Sequence, residues 1–157
     1  MKDHYLNIYN NLIKLTRNKS LFEKLNIQDS FYDRMIVFFI HFAFFLKIYK
    51  KDENKQYLQK LYDFVFNQID ISLQEAGHGD TTINKKMKNY VSIFHSIIKK
   101  VDYWESLKNE EKTNFFSTFF EHSIESSYFV EYFDKYRNFL TNNTLNYFTK
   151  GVINHKF

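Results

Sequence analysis

The chain contains no proline and only three glycines, Gly77, Gly79 and Gly151. Sandwiches and barrels built from strands need frequent turns, and glycine and proline supply the backbone conformations that turns require. Phosphate-binding loops need several glycines at fixed spacing, and the chain has no such motif. The sequence therefore predicts an all-α protein, and its 157 residues fit a single helical domain, a bundle of about six to seven helices.

Apolar residues recur at helical spacing along most of the chain, with polar or glycine-containing breaks between the helices. A short helix or an irregular linker is expected at 21–27, after a break at 18–20. Gly77 stands where a left-handed residue would end the third long helix, and Asp80 or Thr82 is positioned to cap the fourth. Long helices are predicted at 3–16, 30–50, 53–76, 83–101, 110–123 and 127–140, followed by a short turn at 144–150.

The most hydrophobic segment, Met35–Leu46, is too short to span a membrane, because a spanning helix needs about 20 apolar residues. We expect a buried helix at the centre of the fold, with a surface that meets a membrane or an apolar client as the alternative. The N-terminus lacks the apolar core and the cleavage site of a signal peptide. The sequence thus predicts a soluble, cytoplasmic protein, and the absence of cysteine excludes disulfides, thiolate metal sites and thiol catalysis.

Charge is distributed unevenly along the chain. Residues 81–101 carry five lysines and no acid, whereas residues 102–134 carry eight acids and two lysines. The lysines of the fourth helix form either a solvated face or a landing surface for RNA, the ribosome or anionic lipid. No DNA partner is expected, because this helix lacks arginine. Arginine is the side chain whose forked guanidinium binds best to the edges of bases. The five lysines are Lys85, Lys86, Lys88, Lys99 and Lys100.

Few side chains are spaced for chemistry. No two of the six histidines are three or four residues apart, so no helix presents a two-histidine metal edge. His41 lies among apolar residues and is interpreted as a hydrogen-bonded core histidine, with haem or metal ligation as the alternative. Asp63 and Asp70 share one helix face, which is typical of a solvated stripe. We predict no enzyme, catalytic residue, metal or cofactor, since no nucleophile-elbow motif is present either.

Several residues between 31 and 94 carry a family resemblance. Asp33-Arg34 is followed by His41 in an apolar helix, and Leu73–Asp80 (LQEAGHGD) leads into the basic helix. This arrangement resembles the ubiquinol–cytochrome c chaperone family, the assembly factors for cytochrome b of respiratory complex III. Further matching residues are Gln59, Leu61, Asp63, Asp70, Lys85, Lys86, Lys88 and Phe94.

The resemblance implies an all-α chaperone that binds newly made apocytochrome b until haem insertion and complex assembly. It implies the ribosome or a small partner protein as further partners. A bacterial-type member would act in the cytoplasm, peripherally at the inner face of the inner membrane. The family core is expected at about 30–100, followed by a divergent, acidic helical part at 102–157. The alternative function, from the lysines alone, is a non-specific RNA- or ribosome-binding helical module.

We place the loop 77–80 and the lysine face of the fourth helix at one edge of the predicted recognition surface. Asp33 and Arg34 are either contact residues or one side of a structural ion pair with another helix. His78 is either a recognition residue or a loop filler between two glycines. The predicted set is Asp33, Arg34, Gly77, His78, Gly79, Asp80, Lys85, Lys86 and Lys88.

Overall fold

The computed structural model describes residues 2–24, 30–120 and 124–151. These ranges contain eight α-helices, six of them with seven or more residues, and no strand, which confirms the all-α prediction. Short 3-10 turns lie at Asp52–Asn54 and Trp104–Ser106. The helices are α1 (Lys2–Thr16), α2 (Lys19–Lys24), α3 (Phe31–Ile48), α4 (Lys55–Glu75), α5 (Asp80–Val101), α6 (Asn109–Phe119), α7 (Ser126–Thr141) and α8 (Leu145–Thr149).

Helix α3 is the centre of the bundle. Its N-cap is Ser30, whose hydroxyl accepts a hydrogen bond from the backbone N–H of Asp33 at 3.2 Å. Every residue from 35 to 45 is buried, because α1, α5 and α7 pack around the helix. This segment is therefore core, as expected, and it offers no surface to a membrane or a client.

The corner between α4 and α5 is set by Gly77. Its φ is +88°, and its N–H donates to the carbonyl of Gln74, while the N–H of His78 donates to the carbonyl of Leu73. This pair of bonds is the Schellman motif that ends many helices, so the predicted role of Gly77 is confirmed.

The predicted cap of α5 is wrong. The N-cap is Gly79, in an extended conformation, and its carbonyl accepts the first helical bond from the N–H of Ile83. Asp80 is instead the first helical residue, where its charge favours the positive end of the helix dipole. The sequence favoured a side-chain cap at Asp80 or Thr82, but Gly79 itself has the extended backbone conformation of an N-cap.

Replacing Gly77 with valine should lower the free energy of unfolding by about 2 kcal/mol. A Cβ at this position would meet nothing within 4 Å, so the cost comes from the left-handed backbone alone. Gly79→Ser is the matched control, since its φ of −78° suits serine and serine is a good N-cap. Urea denaturation of both variants tests the assignment, and equal losses at the two glycines would contradict it.

The acid-rich segment that begins at Asp102 packs against α3 through aromatic rings. Trp104 is almost fully buried, and its ring meets the edges or faces of Phe44, Phe115 and Phe116 at centroid distances of 5.2–6.0 Å. Its indole N–H donates to the carboxylate of Asp134 on α7 at 2.8 Å. The helix predicted at 110–123 ends at Phe119, and residues 121–123 lie outside the described ranges.

The first and last described helices are joined by side-chain hydrogen bonds. The amide of Asn11, which is buried, donates to the carbonyls of Phe148 and Gly151 at 3.1 and 3.0 Å. The amide of Asn7 donates to the carbonyl of Thr149 at 2.9 Å. The predicted turn at 144–150 is thus a short helix, α8, held against α1.

Candidate functional site

The corner between α4 and α5 is the most accessible of the predicted elements. All residues from 74 to 82 are exposed, so Gly77, His78, Gly79 and Asp80 are open to a partner. The backbone of the corner is fixed by the Schellman bonds at Gly77. A partner would therefore meet a preformed shape with the His78 imidazole and the Asp80 carboxylate on it.

The predicted lysines follow directly on α5. Lys85 and Lys88 are exposed, whereas Lys86 is half-buried, because it lies beside the core stripe that begins at Ile83. Within the part of the chain that the structure describes, no ion pair involves any of these three lysines. Lys99 lies about 21 Å farther along the helix axis than Lys85, so the five lysines do not form one patch.

Asp33 is buried rather than displayed. Only 4% of it is exposed, and its carboxylate accepts a hydrogen bond from the hydroxyl of Ser30 at 2.6 Å. The serine hydroxyl in turn accepts from the Asp33 backbone N–H. The carboxylate thereby fixes the start of α3, which makes Asp33 a positioning residue for its neighbours.

Arg34 lines an apolar groove that the sequence did not predict. The groove has a volume of about 170 Å³ and lies between α1, α3 and α4. Typical cofactor pockets hold about 300–1,000 Å³, so this groove suits a side chain of a polypeptide. Phe31 at its rim is 47% exposed, although it is a large apolar residue. The lining residues are Tyr9, Ile13, Thr16, Arg17, Phe31, Arg34, Met35, Phe38, Ile69 and Ser72.

The groove and the glycine corner lie at the same end of the bundle. Ser72, which lines the groove, is five residues before Gly77, about 7–8 Å along the axis of α4. The ring of Phe31 contacts the ring of Tyr90 on α5, with a centroid distance of 6.3 Å. The structure thus brings Arg34 close to the helices that carry the corner and the lysines. We call this groove, the corner 77–80, Lys85 and Lys88 the recognition end.

His41 is a core histidine, as interpreted from the sequence. It is fully buried, its Nδ1–H donates to the carbonyl of Val37 at 2.8 Å, and its Nε2 accepts from the hydroxyl of Tyr132 at 2.7 Å. Burial lowers the pKa of His41 to about 4, against the smaller opposing effect of the hydrogen bond to Val37. Both ring nitrogens have protein partners, so neither is available to haem iron.

Two other kinds of site are absent from residues 2–24, 30–120 and 124–151. No group of three or more histidine, cysteine, aspartate or glutamate side chains is arranged to hold a metal ion. None of the helices in those ranges combines the length and apolarity needed to cross a bilayer.

Comparisons with known proteins agree with the helical architecture. The crystal structure of the Cbp3 homolog from Brucella abortus superposes with a TM-score of 0.78 at 16% identity, over 98% of this chain and 90% of that chain. This likeness shows a shared fold. No curated protein sequence matches the chain.

The family comparison covers more than half of the sequence. The model for "Ubiquinol-cytochrome C chaperone" matches residues 23–112, a range that contains every predicted partner-binding residue from Asp33 to Lys88. The chain therefore belongs to the ubiquinol–cytochrome c chaperone family.

Proposed function

We propose that the protein is an assembly chaperone of ubiquinol–cytochrome c reductase that binds apocytochrome b at the recognition end. The observation that carries the proposal is the exposed ring of Phe31 and its apolar groove, placed beside an open corner and exposed lysines within the family-matched range. An exposed aromatic ring next to a concave apolar site offers an apolar partner surface that can be removed from water.

The chemistry of the recognition end suits a membrane-protein client. An unassembled transmembrane chain presents apolar side chains, and the groove beside Phe31 accepts one of them out of water. Arg17 at the groove is exposed and supplies a forked donor for a carboxylate or a lipid phosphate nearby. Lys85 and Lys88 attract anionic lipid and speed encounter at long range. This combination supports a peripheral position at the cytoplasmic face of the inner membrane.

Non-specific RNA or ribosome binding is the second candidate function. It is favoured by Lys85 and Lys88, which are exposed and have no ion-pair partner in the described ranges. Single-stranded nucleic acids also need aromatic platforms for base stacking. The exposed large hydrophobic residues of the described chain are Leu6, Phe31, Tyr103 and Tyr147, and only Phe31 lies at the recognition end, so successive bases would find a single ring there. The structure therefore favours the chaperone function.

Haem-free cell-free synthesis of cytochrome b in the presence of the purified protein tests the client proposal. Phe31→Glu should weaken capture of the client about thirtyfold, because loss of a central aromatic contact costs about 2 kcal/mol. Tyr103→Glu is the matched control, since Tyr103 is 68% exposed and lies outside the recognition end. Capture is measured as the amount of apocytochrome b that co-purifies at a series of chaperone concentrations.

Three results would contradict the proposal. One is unchanged capture by Phe31→Glu, and another is a normal level of complex III in a strain that lacks the gene. The third is RNA binding that falls steeply with salt and is lost in Lys85→Glu/Lys88→Glu, while the wild-type protein captures no apocytochrome b. That third outcome would establish the RNA function instead.

A further inference from the structure

A second groove lies at the other end of the bundle. It is formed by the end of α3, the start of α4 and the end of α5, and its volume is about 740 Å³. Ile98 on its wall is about 20 Å along α5 from Lys85, so the groove is separate from the recognition end. We call it the lysine groove, lined by Ala43, Leu46, Lys47, Lys50, Lys51, Asp52, Lys55, Leu58, Gln59, Tyr62, His95, Ile98 and Asp102.

The floor of the lysine groove is apolar. Ala43 and Leu58 are buried there, and Leu46 and Ile98 are half-buried, so apolar surface from three helices faces one space. The hydroxyl of Tyr62 and Nε2 of His95 are hydrogen-bonded at 3.1 Å and join α4 to α5 along one wall. A volume of this size accepts several side chains of a bound segment.

The rim of the groove carries three exposed lysines, Lys50, Lys51 and Lys55. No ion pair involves them within the part of the molecule described. Lys47 differs, because its ammonium is already bound to the carboxylate of Glu105 and to the carbonyl of Val101. The three rim lysines are therefore the cations that remain for a partner.

We propose that the lysine groove binds an acidic, amphipathic segment of a protein partner other than the client. Apolar side chains of the segment lie on the floor, and its carboxylates pair with Lys50, Lys51 and Lys55. A nucleic acid fits less well, because the floor is aliphatic and offers its bases no aromatic face to stack on. The flat surface of a bilayer would leave the apolar floor of this concave groove uncovered.

The acid-rich segment of a second copy is also disfavoured as the occupant. Glu105 is held by Lys47 and Arg137, and Asp134 by Lys112. Two more acids of this segment pair with lysines, Glu125 with Lys24 and Glu131 with Lys135. At least four acids of this segment are thus engaged within their own chain, so it offers a second copy less charge than its composition suggests.

Binding of a fluorescent peptide with leucines flanked by glutamates tests the proposal, by anisotropy on the full chain. The triple variant Lys50→Glu/Lys51→Glu/Lys55→Glu should bind at least about tenfold more weakly than wild type. The matched control reverses three exposed lysines outside both the lysine groove and the recognition end, Lys19, Lys108 and Lys150, and should change affinity less than about threefold. Both variants have the same net charge, so the comparison isolates the position of the lysines.

The apolar floor is tested without altering the protein. A peptide with serines in place of the leucines should bind at least about tenfold more weakly to wild type. Amide NMR shifts caused by the leucine peptide should concentrate at Leu46, Tyr62 and Ile98 rather than at Gly77. Such a pattern would place the peptide in the lysine groove rather than at the recognition end. The inference can therefore fail while the proposed function stands, and the proposed function can fail while the inference stands.

Four outcomes would overturn the inference. The first is no peptide binding up to about 1 mM, and the second is equal binding by the triple variant and its control. The third is binding of phosphatidylglycerol vesicles that depends on the rim lysines when the peptide does not bind, which would assign the groove to lipid. The fourth is a dimer, measured by sedimentation, that dissociates in the triple variant, which would assign it to a second copy.

Discussion

Replacing Phe94 with alanine should lower the free energy of unfolding by about 3–5 kcal/mol. The ring is fully buried on α5 and lies where α3, α4 and α5 meet. Its centroid is 5.1 Å from the ring of Phe39, 5.3 Å from that of Phe42 and 5.5 Å from that of Phe66. Two of these neighbours belong to α3 and one to α4, and each is held by contacts of its own, so we expect the cavity left by alanine to close only in part.

Urea denaturation at neutral pH measures this loss. Tyr103→Ala is the control, because Tyr103 is 68% exposed and its removal should change stability by less than about 0.5 kcal/mol. A loss below about 1 kcal/mol for Phe94→Ala would show that the three helices do not share one packed interior around this ring.

Acidification from pH 6.5 to pH 4 should destabilise the protein through His41 by as much as about 3 kcal/mol. Burial lowers the pKa of His41 from 6.5 to about 4 in the folded state. Between these pH values the unfolded chain binds the proton and the folded chain does not, so stability falls as the pH falls. The contribution of His41 is constant above pH 6.5 and below pH 4. Each pH unit of the gap corresponds to about 1.4 kcal/mol.

The comparison of wild type with His41→Gln isolates this effect, because glutamine does not titrate. We expect the variant to be less stable at neutral pH, because glutamine does not reproduce both imidazole hydrogen bonds. Its free energy of unfolding should also change less with pH, by up to about 1.4 kcal/mol per pH unit, because no proton binds at position 41. Glu105 affects stability at lower pH than His41 does. Burial would raise the pKa of Glu105, but hydrogen bonds from Lys47 and Arg137 outweigh that effect and lower the pKa to about 2. Equal slopes in the two proteins between pH 4 and 6.5 would exclude the assignment to His41.

The sequence predicted those features whose causes lie within a few residues. The start of α3 follows from the hydroxyl of Ser30 and the N–H of Asp33, and the end of α4 follows from the left-handed backbone of Gly77. The central position of α3 follows from an apolar run with no polar face. In the first two cases the interacting groups lie within one or two turns of each other, and in the third the apolar run itself requires burial on all sides.

The features that were missed depend on residues distant in sequence. The groove beside Phe31 combines Ile13 of α1 with Ile69 of α4, and no local pattern shows that these helices leave a gap. Lys86 is half-buried because α5 carries a wide apolar stripe against α3, which periodicity alone does not measure. The lysine groove also required the packing of three helices, although its lysines stand close together in the sequence.

The hydrogen bonds that hold α8 against α1 join two parts of the chain that are synthesised far apart in time. Asn11 donates to the carbonyl of a residue 137 positions later, so the ribosome delivers one partner long before the other. At about 5–20 residues per second, that interval lasts about 7–27 s. During it, the apolar surface that α8 covers with Phe148 is open to water and to other nascent chains. The rate of translation therefore sets how long this apolar surface stays exposed before α8 can cover it.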